Sequence, residues 1–147
     1  METTGYFSVA EASARSGFSP DTLRYYDRLG LLPRLRRKSG RRAFSEEDLA
    51  TLSLVASLRD TGMPLASIRD FMQASGPRTV DTRLSLLRRH RAEVERNLET
   101  FCKAKRHVDF KIWLYEEAKR HGGLAKLPPF DTLLERYRRE TGQSTDW

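Results

Sequence analysis

Six cations fall within nine residues: Arg34, Arg36, Arg37, Lys38, Arg41 and Arg42, with no acid among them and Ser39-Gly40 in their midst. Basic side chains at that density suit a polyanion, because each can neutralise a phosphate and release its counterions. Catalytic patterns are missing by contrast. No nucleophile stands beside a base, no glycine loop is built to cradle a phosphate, and His90, His107 and His121 have no spacing that unites them as metal ligands. Cys102 is the single cysteine, which excludes an intrachain disulfide and any multi-cysteine metal site; beside Phe101 it reads as a small apolar residue. We expect no enzyme activity, no cofactor and no metal.

The 147 residues, 38% hydrophobic and 32% charged with a net charge of +7, suit one small domain plus an extension. Residues 1–76 hold 11 Lys/Arg against 9 Asp/Glu, so the clustering of charge says more than its sum. No run approaches the ~18 apolar residues of a membrane span. The opening Met1-Glu2-Thr3-Thr4 has neither the basic nor the apolar region of a secretory leader. A cytoplasmic chain without a membrane partner is expected.

Helix signals place these residues. Ser8 with Glu11 three residues on forms a capping box for a first helix that stops at Gly17. Ser19-Pro20-Asp21 starts a second, carrying Thr22 to Leu29 and ending at Gly30; two short helices so joined form a helix-turn-helix. The basic stretch, folded at Ser39-Gly40, predicts a small hairpin, a wing. Ser45-Glu46-Glu47-Asp48 starts a third helix that runs to Gly62, and Pro64 opens a fourth with Leu65, Ile68, Phe71 and Met72 on one side.

Gly76-Pro77 then marks a boundary. Beyond it Val80, Leu84, Leu87, Val94, Leu98, Phe101, Val108, Ile112 and Tyr115 step by threes and fours, with Arg91, Lys105 and Lys119 filling the three remaining seam positions. That is a sustained heptad on a helix about 60 Å long at ~1.5 Å per residue. A domain of about 75 residues cannot cover such a seam, so a second copy of the chain is its simplest partner. Gly122-Gly123 ends the helix, Pro128-Pro129 starts a last one bearing Phe130, Leu133, Leu134 and Tyr137, and residues 143–147 are expected to fray. The division expected is therefore 1–76, 77–121 and 122–147: a mainly α chain with a winged helix-turn-helix domain, a long antiparallel coiled-coil dimerisation helix, and a short C-terminal helix.

The ordered set Thr22-Leu23-Arg24-Tyr25-Tyr26-Asp27, Gly30-Leu31-Leu32-Pro33, the basic wing, Ser45-Glu46-Glu47-Asp48-Leu49 and Gly62-Met63-Pro64-Leu65 resembles the MerR family of bacterial transcriptional regulators across residues 6–72. Arg78-Thr79-Val80 and Val108-Asp109-Phe110-Lys111-Ile112 look like that family's small aldehyde- and electrophile-responsive branch. Where that branch carries a reactive cysteine this chain has Ser57, whose hydroxyl cannot act as a thiolate sensor. Arg41 likewise replaces a wing tyrosine common in the family.

The resemblance implies a homodimer on palindromic double-stranded promoter DNA, controlling transcription by bending and untwisting it in response to a small-molecule effector. RNA polymerase would be met indirectly, through the promoter. The alternative is an effector-independent repressor or architectural DNA-binding protein. Arg24 would enter the major groove, one of Tyr25 and Tyr26 would bond phosphate while the other packs inward, and Arg42 and Arg59 would contact phosphate. Ser19, Thr22, Arg37, Lys38 and Arg41 complete the expected DNA-facing set. Trp113, Tyr115, Phe130, Tyr137 and Trp147 concentrate near the C-terminus; the first four form a candidate effector pocket, with dimer core as the competing assignment.

Overall fold

The structure, a computed structural model, describes residues 5–146; the expectations attached to the first four residues and to Trp147 lie outside them. Among the described residues six α-helices and one hairpin follow in order: α1 Val9–Ser16, α2 Pro20–Arg28, β1 Arg36–Lys38, β2 Arg41–Ala43, α3 Glu46–Asp60, α4 Leu65–Gln73, α5 Thr79–His121 and, after a 3-10 turn Leu124–Lys126, α6 Phe130–Thr141. None of these helices is long and apolar enough to cross a membrane. The helix starts follow local chemistry. Ser8 and Ser45 close reciprocal capping boxes with Glu11 and Asp48, and Ser19 accepts from the Thr22 amide ahead of Pro20 at the first helical position.

The hairpin is antiparallel, with Arg37 opposite Arg42 and Lys38 opposite Arg41. Ser39 and Gly40 both adopt positive φ, 49° and 72°, as a two-residue type I′ connection demands of its central pair. Phe7 joins the base of the wing, exchanging two backbone bonds with Phe44 at 2.7 and 2.9 Å.

The chain folds as two compact units that divide between His90 and Arg91. In the first, Ala12, Leu23, Leu31, Phe44, Leu52, Val55 and Ile68 are wholly buried. The sequence-based boundary at residue 76 falls inside this unit. Gly76-Pro77 does interrupt the helices, but Leu86 packs against the first core and Arg83 donates through Nε to the Phe71 carbonyl at 3.0 Å. The first turns of α5 therefore belong to the first unit.

The second unit is built on Phe110, Trp113, Leu133 and Tyr137, where α6 packs on the end of α5. Glu117 is wholly buried beneath them, ion-paired to Arg136 Nη1 at 2.7 Å and to Arg120. The tail expected to fray is instead held as far as Thr145. Tyr137 donates to Gln143 Oε1 at 2.7 Å, and Arg138 bonds Thr145, which is buried.

Candidate nucleic-acid interface

In α2, Leu23 and Tyr26 point inward, which leaves Arg24 and Tyr25 outward. The two tyrosines therefore differ in exposure. Tyr25 is 45% exposed; Tyr26 is 3% exposed, edge-on to Phe18 at 5.4 Å, with its hydroxyl accepting from Arg59 Nη1 at 2.9 Å. Arg59 also lies over the Phe18 ring, 5.3 Å from its centroid. It is a brace between α3 and α2 as well as a surface cation. Ser19 and Thr22 are turned on each other, their hydroxyls 2.8 Å apart, while Arg24 leans on Asp21 at 2.9 Å. That ion pair is exposed and worth little, so Arg24 can leave it for a stronger acceptor.

The wing is anchored by a carboxylate that sequence reasoning passed over. Asp27 of α2 accepts from Arg42 Nε at 2.6 Å and from Arg37 Nη2 at 3.5 Å. The Arg42–Asp27 pair is largely shielded, with side chains 18% and 21% exposed, so Arg42 fixes the wing against α2 rather than standing free. The signal was a lone acid at the end of a helix facing a run of cations. Tyr6 gathers two more of them: Lys38 sits 3.7 Å above its ring and Arg36 donates to its hydroxyl at 3.4 Å. Arg34 pairs with Glu47. Among the described residues Arg41 alone of the six makes no side-chain hydrogen bond, ion pair or cation–π contact that competes for its charge.

Arg24, Arg37, Arg41 and Arg42 converge with Gly40 and the Ser8–Ala10 start of α1 on one cleft of about 360 Å³. Four guanidiniums around an open cleft at a helix N-terminus make an anion-seeking surface. Arg59, and the Lys38–Tyr6 pair, lie outside that lining.

Away from this surface, Ser57 is exposed and donates to the Leu54 carbonyl at 2.9 Å. Cys102, read as a small apolar residue, is exposed in the single chain. No group of three or more His, Cys, Asp or Glu among the described residues is placed to hold a metal. Of the four aromatics assigned to an effector pocket, Trp113, Phe130 and Tyr137 meet around Phe110, at ring separations of 5.2 to 6.2 Å. Tyr115 does not join them: two residues past Trp113 it points from the other side of α5 and is 61% exposed. The nine seam residues are all exposed, from 39% at Leu87 to 76% at Val80.

Comparison with known proteins agrees with this architecture. The family model for the MerR HTH family regulatory protein matches residues 7–75, and that for MerR, DNA binding, matches residues 49–109. An uncharacterized HTH-type transcriptional regulator of Haemophilus influenzae is 36% identical over 124 residues, covering 80% of this chain and 90% of the relative. The HTH-type transcriptional regulator AdhR of Bacillus subtilis is 32% identical over 83 residues, 54% of this chain and 59% of its own. Among solved structures, HiNmlR, a MerR family regulator lacking the sensor domain, bound to promoter DNA, superposes with a TM-score of 0.62 at 33% identity, covering 83% of this chain and 99% of that one. A putative MerR family regulator from Listeria monocytogenes gives 0.65 at 30% identity, covering 91% and 98%. A winged helix-turn-helix with a basic cleft, followed by one long helix, thus identifies this chain as a member of the MerR family of DNA-binding transcriptional regulators.

Proposed function

We propose that two copies pair antiparallel along the α5 seam and grip a palindromic promoter operator in the cytoplasm. Each α2 helix enters a major groove, and each wing lies on the flanking backbone. The observation that carries this reading is the convergence of Arg24, Arg37, Arg41 and Arg42 on one cleft beside the exposed face of α2. Arg24 and Tyr25 face the groove, Arg41 supplies free charge to phosphate, and Asp27 holds the wing at a fixed angle through Arg42. Ser19, Thr22, Arg37, Lys38 and Arg59 complete the DNA-facing set. Phosphate contacts of this kind set register and affinity and supply the energy to bend and untwist the duplex, which realigns promoter elements for RNA polymerase. That HiNmlR lacks a sensor domain and was crystallised on promoter DNA supports operator binding by so short a chain.

A second reading, an effector-independent repressor or architectural protein, is favoured by one observation. Trp113 and Tyr137 are 8% and 2% exposed and fill each other's space, while Ser57 supplies no thiolate. An effector would then have to meet Phe130, the exposed edge of that aromatic cluster. Footprinting the promoter region beside the protein's own gene at two salt concentrations tests both. A protected palindrome between widely spaced promoter elements is expected; retention that is only salt-sensitive and sequence-blind would overturn operator recognition.

A further inference from the structure

α5 is fastened to the first unit along a face distinct from its seam. Arg83, Leu86 and His90 recur at spacings of three and four, so they share one side of the helix. Arg83 donates to the carbonyl of Phe71 in the last turn of α4. His90, one heptad on, reaches the end of α3. Its Nε2 lies 3.2 Å from the Thr61 carbonyl and 2.9 Å from Thr61 Oγ1. The carbonyl can only accept, and the Thr61 hydroxyl already donates to the Leu58 carbonyl at 2.6 Å, so the ring must carry its hydrogen on Nε2.

Thr61 is where α3 stops. The Gly62 amide bonds the Arg59 carbonyl and the Met63 amide bonds the Leu58 carbonyl, with Gly62 at φ 81°, the pattern of a Schellman end. Such an end leaves carbonyls without intrahelical donors, and His90 supplies one from a different helix. The same last turn carries Arg59, whose guanidinium bonds Tyr26 and covers Phe18. A continuous set of contacts therefore runs from α5 through the α3 terminus to the inner face of the recognition helix. Immediately past His90 the first unit ends.

We infer that His90 is a positioning residue: it fixes the α3–α4 turn to the long helix and thereby sets the pose of Arg59 against α2. It acts on DNA only through Arg59, so its DNA consequence rests on the reading above, while its effect on the free protein does not.

The test compares full-length wild type with His90→Leu, which removes the donor, and His90→Gln, whose amide nitrogen can reach the same carbonyl. Hydrogen exchange of the free protein is measured first. The Gly62 and Met63 amides should exchange about tenfold faster in H90L, while Ala74 at the end of α4 stays unchanged, and H90Q should restore protection. Unchanged exchange at the turn in H90L, or loss spread equally over α3 and α4, overturns the latch. Affinity for the promoter duplex is then followed through the cycle of H90L with Arg59→Ala. Arg59→Ala should cost about threefold less in the H90L background than in wild type. Additive losses overturn the transmission to Arg59. Failure of wild type itself to bind that duplex selectively counts against the operator reading alone, and the exchange experiment still decides the latch.

Discussion

Because Asp27 carries two wing arginines on one carboxylate oxygen, removing it leaves Arg42 largely shielded and without its counter-charge. Asp27→Asn should therefore weaken DNA binding although it makes the protein more basic. The expected cost in stability is about 1–2 kcal/mol. Anisotropy titrations paired with thermal melts check both halves, and tighter binding by the variant would show that charge sum outweighs wing pose. Arg41 and Arg24 separate cleanly in the same assay. Arg41→Ala removes a free cation from each of two subunits, so it should lower the slope of log affinity against log salt by about 1.8 on every duplex the dimer binds. Arg24→Ala should instead erode the preference for the operator by about 1–3 kcal/mol. At this scale the sequence marked the cluster of cations but not how each of them is partnered. Arg42 and Arg41 are adjacent and chemically identical in sequence. Only the pleat of β2, which turns Arg42 toward Asp27 and Arg41 outward, tells the brace from the free cation.

Among the elements, the short helices and the wing were legible because their signals are local. A serine, a proline or a glutamate three residues on settles a helix start, and Ser39-Gly40 settles the hairpin. What could not be read is whatever depends on chain returning from far away. The extent of the first unit turns on Arg83 and His90 finding carbonyls at the ends of α4 and α3. The order of the tail turns on Tyr137 and Arg138 holding Gln143 and Thr145. The α5–α6 junction is the element most exposed to single changes. Arg136→Ala would leave the wholly buried Glu117 carboxylate with only the largely exposed Arg120 beside it, and should destabilise the second unit by about 3 kcal/mol, seen as an early transition in thermal unfolding.

Glu140 gives that junction a pH dependence. Arg136 Nε first, and Trp113 Nε1 second, donate to its carboxylate and hold its pKa below the usual 4.5. A depressed carboxylate contributes its stability in full above the unfolded value and loses it as pH falls through the folded one. Trp113 fluorescence should accordingly report loosening of α6 below about pH 4 and remain flat above about pH 5. A transition centred near neutrality would point to a different group.

For the whole molecule, charge and apolar surface are unequally shared. Residues 1–90 carry 15 Lys/Arg against 10 Asp/Glu, and residues 91–147 carry 12 against 10, so the DNA-facing unit holds most of the net positive charge. The apolar seam runs along α5 through both. Leu98→Asp, placed in the proposed interface at a residue 61% exposed in the single chain, should leave the chain folded but monomeric by sedimentation, with operator affinity lost. Retained dimers would move the interface elsewhere. The heptad itself was legible from the sequence; the partner proposed for it is a separate chain, which no intrachain contact can specify.

That seam has a consequence for dosage. A newly made chain carries an unmasked stripe of leucine, valine and phenylalanine until it meets another, and each such side chain gains roughly 1 kcal/mol when half buried. Under the proposed pairing, the paired fraction follows mass action, so competent regulator rises with nearly the square of chain number when chains are scarce. Lone chains would meanwhile be the preferred targets of proteolysis. Promoter occupancy would then respond to synthesis with a threshold, a filter against sporadic expression that needs no ligand at all.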